Sequence, residues 1–243
     1  MKEISILQLY TRDMNLYGDV GNSVTLAKRL RLRGYDPIII DYNRGDEFPA
    51  EPDILIGGGG QDSGQEMIQD DLLSIGSRLH ELAEDNTPML MICGMYQLFG
   101  HYFETHTGRR IEGIGVLDVV TYGRQQRLTG NVFAESDAFG TVIGYENHSG
   151  QTFLGEGAIP LAHVRKGAGN NSKNKTEGAR HLNVIGTYLH GPILPNNPAI
   201  ADYLIQQAVL KRYGAEAVDE LLKAKIDDSL AEQVRQAAVG RSR

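Results

Sequence analysis

The stretch MLMICGMYQLFG, residues 89–100, decides the fold of this chain. Its apolar start is typical of a fully buried strand, and Cys93 follows directly, ahead of a glycine and a helix-compatible segment. A strand that turns sharply into a helix holds a side chain at the carboxyl edge of a sheet, near the partial positive charge of the helix N-terminus. The stretch predicts an α/β fold with Cys93 as a candidate nucleophile, although a free cysteine is also a common core residue.

The rest of the chain extends this pattern. Short apolar runs alternate with amphipathic segments through the first 100 residues, which predicts βαβ units and a mainly parallel sheet. Residues 111–189 favour antiparallel strands or an extension of the sheet, and the polar stretch 165–180 predicts a mobile surface loop. The tail 240–243 is expected to fray. The predicted strands are 4–9, 37–42, 53–56 and 88–92, and the predicted helices are 22–33, 65–84, 198–213 and 218–238.

Composition limits the kind of protein that this chain can be. Its 243 residues are enough for one large domain with a full-sized core. The single cysteine excludes an internal disulfide and a CxxC zinc site. The net charge of −7 argues against non-specific binding to nucleic acid or to an anionic membrane. The sequence contains neither a signal peptide nor a run of about 18 apolar residues, so we expect a cytoplasmic protein without direct membrane insertion.

His190 is the candidate base for Cys93. The stretch VIGTYLHGPILP at 184–195 places it just beyond a short strand and ahead of a turn that would expose the imidazole. The sequence has seven histidines, and His148 is the main rival. The predicted pair therefore consists of a thiol and an imidazole that converge at the sheet edge.

Four consecutive glycines, Gly57 to Gly60, end the short strand predicted at 53–56. A glycine loop at that edge can point backbone N–H groups, together with that of Gly94, at an oxyanion that develops over Cys93. A phosphate cradle is the weaker alternative, since the stretch lacks the G-x-x-x-x-G-K-[ST] spacing. A plain glycine turn stays an open alternative.

These features, in this order, resemble the class I (triad-type) glutamine amidotransferase domains, in their cobyric-acid-synthase-like branch. Within that branch the chain is most similar to the glutaminase subunits of lipid II isoglutaminyl synthase. The likeness spans roughly residues 4–213. Seven strings carry it: MNLYGDVGN (14–22), IGGGGQD (56–62), ICGMYQLFG (92–100), RIEGIGVLD (110–118), RLTGN (127–131), GYENHSGQT (144–152) and GTYLHGPILP (186–195).

The resemblance implies a fold, a domain division and a set of site residues. The fold is a three-layer α/β sandwich of flavodoxin-like topology, with an amidotransferase domain at 1–213 and a C-terminal helical extension at 214–243. Cys93 attacks the side-chain amide of L-glutamine and His190 transfers the proton. The other implied site residues are Gly58, Gly59 and Gly94 as oxyanion donors, Arg127 as a glutamine contact, for which a surface salt bridge is the alternative, and Gln97 as a pocket residue, for which a helix-surface glutamine is the alternative.

The chain departs from the wider family at two positions. Class I amidotransferases usually carry a glutamate two residues after the histidine, and this position is Pro192 here. We therefore expect either that a partner subunit supplies the acid or that the site works as a dyad until the partner docks. The second departure is Met95, where related elbows tend to carry glycine.

The resemblance also implies a role in peptidoglycan biosynthesis. Ammonia would pass to a MurT-like Mur ligase subunit, which amidates the α-carboxyl of D-glutamate in the lipid II stem peptide. ATP and Mg²⁺ are expected on that partner, and no cofactor or metal in this chain. The chain would act in the cytoplasm on a membrane-anchored lipid precursor through the partner. Two alternatives stay open: a subunit of a cobyrinate-type synthase, and a non-catalytic regulatory module of the same fold.

Overall fold

The computed structural model describes residues 1–240 and contains two sheets and several helices. The helices are α1 (Gly21–Leu32), α2 (Asp62–Glu84), α3 (Gly94–Phe99), α4 (Ile193–Asn196), α5 (Pro198–Tyr213), α6 (Ala215–Lys223) and α7 (Ser229–Gly240). The strands are β1 (Lys2–Leu9), β2 (Tyr35–Tyr42), β3 (Ile54–Gly57), β4 (Met89–Ile92), β5 (Tyr102–Glu104), β6 (Arg110–Glu112), β7 (Val119–Ser136), β8 (Gly140–Leu154), β9 (Ala162–Lys166), β10 (Thr176–Glu177), β11 (Ala179–His181), β12 (Val184–Thr187) and β13 (Leu189–His190).

The central sheet has six strands in the order β11-β12-β4-β3-β1-β2. All neighbouring pairs are parallel except β11 with β12. The β1-to-β2 and β3-to-β4 connections run in opposite directions across the sheet, so right-handed crossovers place α1 and α2 on opposite faces. This is the predicted three-layer α/β arrangement, and it brings the ends of β1, β3, β4 and β12 to one edge.

A second sheet follows the order β10-β9-β7-β5-β6, and β8 pairs with both β7 and β13. Its main unit is the long antiparallel hairpin of β7 and β8, as expected for residues 111–189. Their pairing shifts register between Gly123 and Leu128, which interrupts the regular alternation of side chains there. Because β13 pairs with β8, the second sheet also touches the edge where β12 ends.

Most predicted elements are confirmed, and the mobile loop is not. The strands and helices predicted before residue 93 match β1 to β4, α1 and α2, while the single helix predicted at 218–238 is two helices, α6 and α7. The prediction of a mobile surface loop at 165–180 is wrong. Asn170, Asn171 and Glu177 are buried there, and Asn171 Nδ2 donates to Thr152 O at 2.8 Å. These polar side chains make hydrogen bonds inside the fold, so a polar composition did not mean exposure.

The C-terminal helices are tied to α1 by ion pairs. Arg29 contacts Asp202 of α5 at 2.7 Å and Asp228, just before α7, at 2.6 Å. The domain division at 213 stays a prediction, and of the tail expected to fray, residues 241–243 lie outside the described part of the chain. No helix within residues 1–240 is long and apolar enough to cross a membrane.

Asn197, which is buried between α4 and α5, offers a test of how these helices attach to the second sheet. Its amide donates to Ile143 O and Ile193 O and accepts from Ile143 N, at 2.7–2.9 Å. Asn197→Ala leaves these buried groups without partners, so we expect the free energy of unfolding in urea to fall by about 1–3 kcal/mol. The exposed Asn174→Ala is the control. Equal stability of the two variants would contradict this account.

Candidate active site

Cys93 occupies a strained turn between β4 and α3. Its φ is +51° and its ψ is −103°, a conformation that a residue with a Cβ rarely adopts. Its N–H donates to Thr187 O at 2.8 Å, and its carbonyl accepts from Gln97 N at 3.0 Å. The backbone is thus held on both sides, as a nucleophile elbow requires.

His190 lies beside Cys93 at the end of β13. A Cβ atom on Gly59 would come within 2.8 Å of His190 Cε1 and 3.2 Å of Cys93 Cβ. Both side chains therefore border the same face of Gly59, where a larger residue would not fit. The structure brings the predicted thiol and imidazole together.

Asp19 is a carboxylate of this chain that the sequence reasoning did not assign. It is 1% exposed, and its Oδ2 lies 3.4 Å from His190 Nδ1. That distance is long for a hydrogen bond, and neither ring nitrogen of His190 has a hydrogen-bond partner of good geometry among residues 1–240. The sequence signal that could have identified Asp19 is its place in MNLYGDVGN, in the loop that leaves β1 at the same sheet edge.

The charge on His190 is governed by these neighbours. Burial alone lowers the pKa of the imidazole, but the Asp19 carboxylate and the Cys93 sulfur outweigh burial and raise it to about 10. The tilted ring of Tyr17 lies 4.3 Å from the imidazole, centre to centre. At neutral pH His190 is therefore an imidazolium between an acid and a sulfur, which suits it to donate a proton.

The predicted oxyanion glycines differ in what their backbones do. Gly59 N donates to Asp19 Oδ2 at 2.9 Å, so the structure does not support Gly59 as an oxyanion donor, because its one N–H already has an acceptor. Gly58 uses its carbonyl, which accepts from Met95 N at 3.4 Å. Gly58 and Gly94 stay predicted donors.

Arg127 and Gln97 line the same cavity as Cys93, which has a volume of about 590 Å³. Arg127 lies in the irregular part of the β7 and β8 pairing and donates to Asn147 Oδ1 at 2.5 Å and Tyr17 Oη at 2.9 Å. No salt bridge to Arg127 is found in the described chain. Its guanidinium therefore faces the cavity among neutral partners.

Gln97 is 4% exposed, so the helix-surface alternative is wrong. Its Nε2 donates to Tyr188 Oη at 3.1 Å, and its Oε1 accepts from Gln65 Nε2 at 2.8 Å. The rival His148 also lines the cavity, but its ring is stacked on Tyr188 at 3.6 Å and its Nδ1 is bonded to Gly150 O. His148 is thus part of the wall, while His190 is the histidine that pairs with Cys93.

Glu177 is a second functional residue that sequence reasoning missed. It is fully buried, and its Oε1 accepts from Thr187 Oγ1 at 2.6 Å and from Tyr188 N at 2.9 Å. It therefore holds the turn between β12 and β13. This turn connects Thr187, whose carbonyl accepts from Cys93 N, to His190. Burial, with a contribution from Glu146, raises the pKa of Glu177 to about 7 despite these hydrogen bonds. Sequence reasoning missed Glu177 because it lies in the polar 165–180 stretch, which predicted a surface loop.

The comparisons with known proteins agree with this geometry. The model of the CobB/CobQ-like glutamine amidotransferase domain matches residues 5–198. A solved glutamine amidotransferase superposes with a TM-score of 0.59 at 17% identity, covering 83% of this chain and 98% of that chain. Another, from Thermotoga maritima, has a TM-score of 0.54 at 17% identity, covering 98% and 94%. These structures establish the fold as that of the glutamine amidotransferases.

Curated relatives narrow the assignment. The chain is 42% identical to the GatD subunit of the glutamine-hydrolyzing lipid II isoglutaminyl synthase of Staphylococcus aureus, covering 86% of this chain and 85% of the relative. It is 35% identical to the Streptococcus pneumoniae GatD subunit, covering 95% and 91%. Cobyric acid synthase of Clostridium acetobutylicum is 28% identical, covering 82% and 42%. The chain belongs to the CobB/CobQ-like glutamine amidotransferase family, in which it is most similar to the GatD subunits among these relatives.

Glu177→Gln tests whether the buried carboxyl sets a pH dependence of stability. The folded state raises the pKa of Glu177 from 4.5 to about 7, so folding favours the protonated form and stability falls as pH rises between those values. Glutamine stays neutral, so the melting temperature of Glu177→Gln, relative to that of the wild type, should rise between about pH 5 and about pH 8. Exposed Glu156→Gln serves as the control. A relative melting temperature that does not change with pH would contradict the assignment.

Proposed function

We propose that this chain is the glutamine-hydrolysing subunit of a lipid II isoglutaminyl synthase. It would supply ammonia to a MurT-like Mur ligase subunit, which uses ATP and Mg²⁺ to amidate the D-glutamate α-carboxyl of the stem peptide. The observation that carries the proposal is the strained Cys93 elbow beside the buried His190. The 42% identity to a GatD subunit supports the specific assignment.

The geometry supports a thioester mechanism. Cys93 Sγ, whose proton is held by His190, attacks the side-chain carbonyl carbon of glutamine, and the amide nitrogen takes that proton from His190 and leaves as ammonia when the C–N bond breaks. Water then attacks the γ-glutamyl thioester, His190 accepts its proton, and the C–S bond breaks to release glutamate, which restores Cys93 Sγ beside a protonated His190. Backbone N–H groups of Gly58 and Gly94 are the proposed donors to the oxyanion in both steps.

Asp19 is the proposed orienting carboxylate within this chain. Its buried Oδ2 is on the Nδ1 side of His190, so it stabilises the imidazolium and leaves Nε2 for the reaction. The distance of 3.4 Å between Asp19 Oδ2 and His190 Nδ1 is long for a hydrogen bond, so it does not exclude the hypothesis that a partner carboxylate completes the site. That hypothesis stays a prediction, and the position of Pro192 after the histidine is its sequence basis.

The two alternatives are less well supported. The chain is more similar to the GatD subunits, at 42% and 35% identity, than to the cobyric acid synthase of C. acetobutylicum at 28%. The strained Cys93 next to His190 argues against a non-catalytic module. Backbone strain of this kind costs free energy, and it clusters at functional sites where the surrounding structure sustains it.

The remaining parts of the proposal concern the partner. A cytoplasmic heterodimer that reaches a membrane-anchored lipid precursor through the Mur-ligase-like subunit agrees with the name of the relatives as subunits. No group of three or more histidine, cysteine or acidic side chains suited to a metal occurs within residues 1–240. The proposal also places ATP and Mg²⁺ on the partner subunit.

Covalent labelling tests the nucleophile. Diazo-oxo-norleucine is a glutamine mimic that alkylates a catalytic thiol, and we expect a single adduct in the intact mass of the chain. Because Cys93 is the only cysteine, the mass assigns the thiol directly. Cys93→Ser should lose the adduct while keeping its circular dichroism spectrum. A wild-type chain that stays unmodified, both alone and with the partner, would overturn the catalytic assignment.

Asp19→Asn tests which carboxylate orients His190. The substitution removes the charge but keeps the shape, so kcat for glutamine hydrolysis by the isolated chain should fall by about 10²-fold. The pKa of His190, followed by NMR, should fall as well, which a merely structural role would not predict. Recovery of kcat when the partner binds would indicate a second carboxylate from that subunit. An unchanged kcat and an unchanged pKa would exclude Asp19 from this role.

A further inference from the structure

The cavity beside Cys93 has an uneven distribution of charge. Its described lining includes two cations, Arg124 and Arg127, and a single carboxylate, Asp62. The other lining side chains are neutral or are histidines. For a ligand that carries both a positive and a negative group, Asp62 is therefore the one carboxylate in this lining that can pair with the positive group.

Asp62 lies close to the reacting centre along the chain. It is the first residue of α2 and follows Gly60 and Gln61 directly. Gly60 N would be 3.2 Å from a Cβ on Gly94, so the glycine loop passes over the start of α3, beside Cys93. The loop thus delivers Asp62 to the cavity from the same edge as the nucleophile.

The carboxylate of Asp62 has no salt bridge within residues 1–240, whereas Glu66, the next acid on α2, is paired with Arg109 at 3.0 Å. Burial raises the pKa of Asp62, and the charges of His106 and Arg127 oppose that rise. A half-buried carboxylate without an ion pair gains most from a cationic ligand, because the ligand returns the interaction that burial removed.

We propose that Asp62 binds the α-ammonium group of L-glutamine and so determines the selectivity of the site for an α-amino acid. This inference rests on the proposed function. With the amide at Cys93 and the α-carboxylate at Arg127, the ammonium needs an acceptor in the same cavity, and Asp62 is the carboxylate available. The competing explanation is that Asp62 only complements the N-terminus of α2.

Calorimetric titration separates the two explanations. The full chain carries Cys93→Ser to prevent turnover and is titrated, alone and with the Mur-ligase-like subunit, with L-glutamine and with glutaramate, which lacks the α-ammonium group. Adding Asp62→Asn should weaken L-glutamine binding by about 10- to 100-fold and change glutaramate binding by less than about twofold. Glu66→Gln is the matched control and should change neither.

Two outcomes would overturn the proposal: unchanged L-glutamine binding in Asp62→Asn, or equal losses for both ligands, which would mark Asp62 as a helix residue only. Glutamine hydrolysis by the chain with Cys93 intact is measured in parallel. If that chain hydrolyses glutamine and Asp62→Asn leaves KM unchanged, the role of Asp62 fails and the proposed function stands. If the chain with Cys93 intact neither binds nor hydrolyses glutamine, both the role of Asp62 and the proposed function fail.

Discussion

The hydrogen bond from Cys93 N to Thr187 O is the interaction on which the site depends. Cys93 adopts a φ of +51°, a conformation that costs about 1–3 kcal/mol and persists where its surroundings hold it. Thr187 ends β12, which is parallel to β4, so one main-chain contact joins the ends of two neighbouring strands. The same residue begins the turn to His190. Nucleophile and histidine are thus positioned where the central sheet ends and β13 pairs with β8 of the second sheet.

Buried carboxyl groups around this edge meet different surroundings. Asp19 Oδ2 lies 3.4 Å from His190 Nδ1, while Glu146 accepts from the N–H groups of Ala168 and Gly169, both at 2.8 Å. Glu177 has two donors on one oxygen and none on the other, and burial raises its pKa. For Glu177, the balance between burial and hydrogen-bond donors sets the pKa.

Much of this arrangement could be predicted from the sequence. The parallel core follows from periodicity, and Cys93 directly follows β4 while His190 comes shortly after β12, where topology brings side chains together. Asp19 could not be found this way, because it lies in an irregular loop well beyond the end of β1. Glu177 and Asn170 were missed for another reason. Composition shows that a segment is polar, but it does not show that its polar groups have partners inside the fold.

The contacts of Arg127 have a consequence for how the cavity selects its ligand. The guanidinium donates to Asn147 and to Tyr17 Oη, and the ring of Tyr17 rests against His190. A carboxylate that engages the full fork must displace some of these acceptors. Association is therefore an exchange, and its free energy is the difference between the bonds formed and the bonds given up. In the proposed role of Arg127 as the carboxylate contact, a molecule that offers a weaker acceptor at that position would gain less from the exchange, so the hydrogen bonds that the arginine already makes would contribute to discrimination.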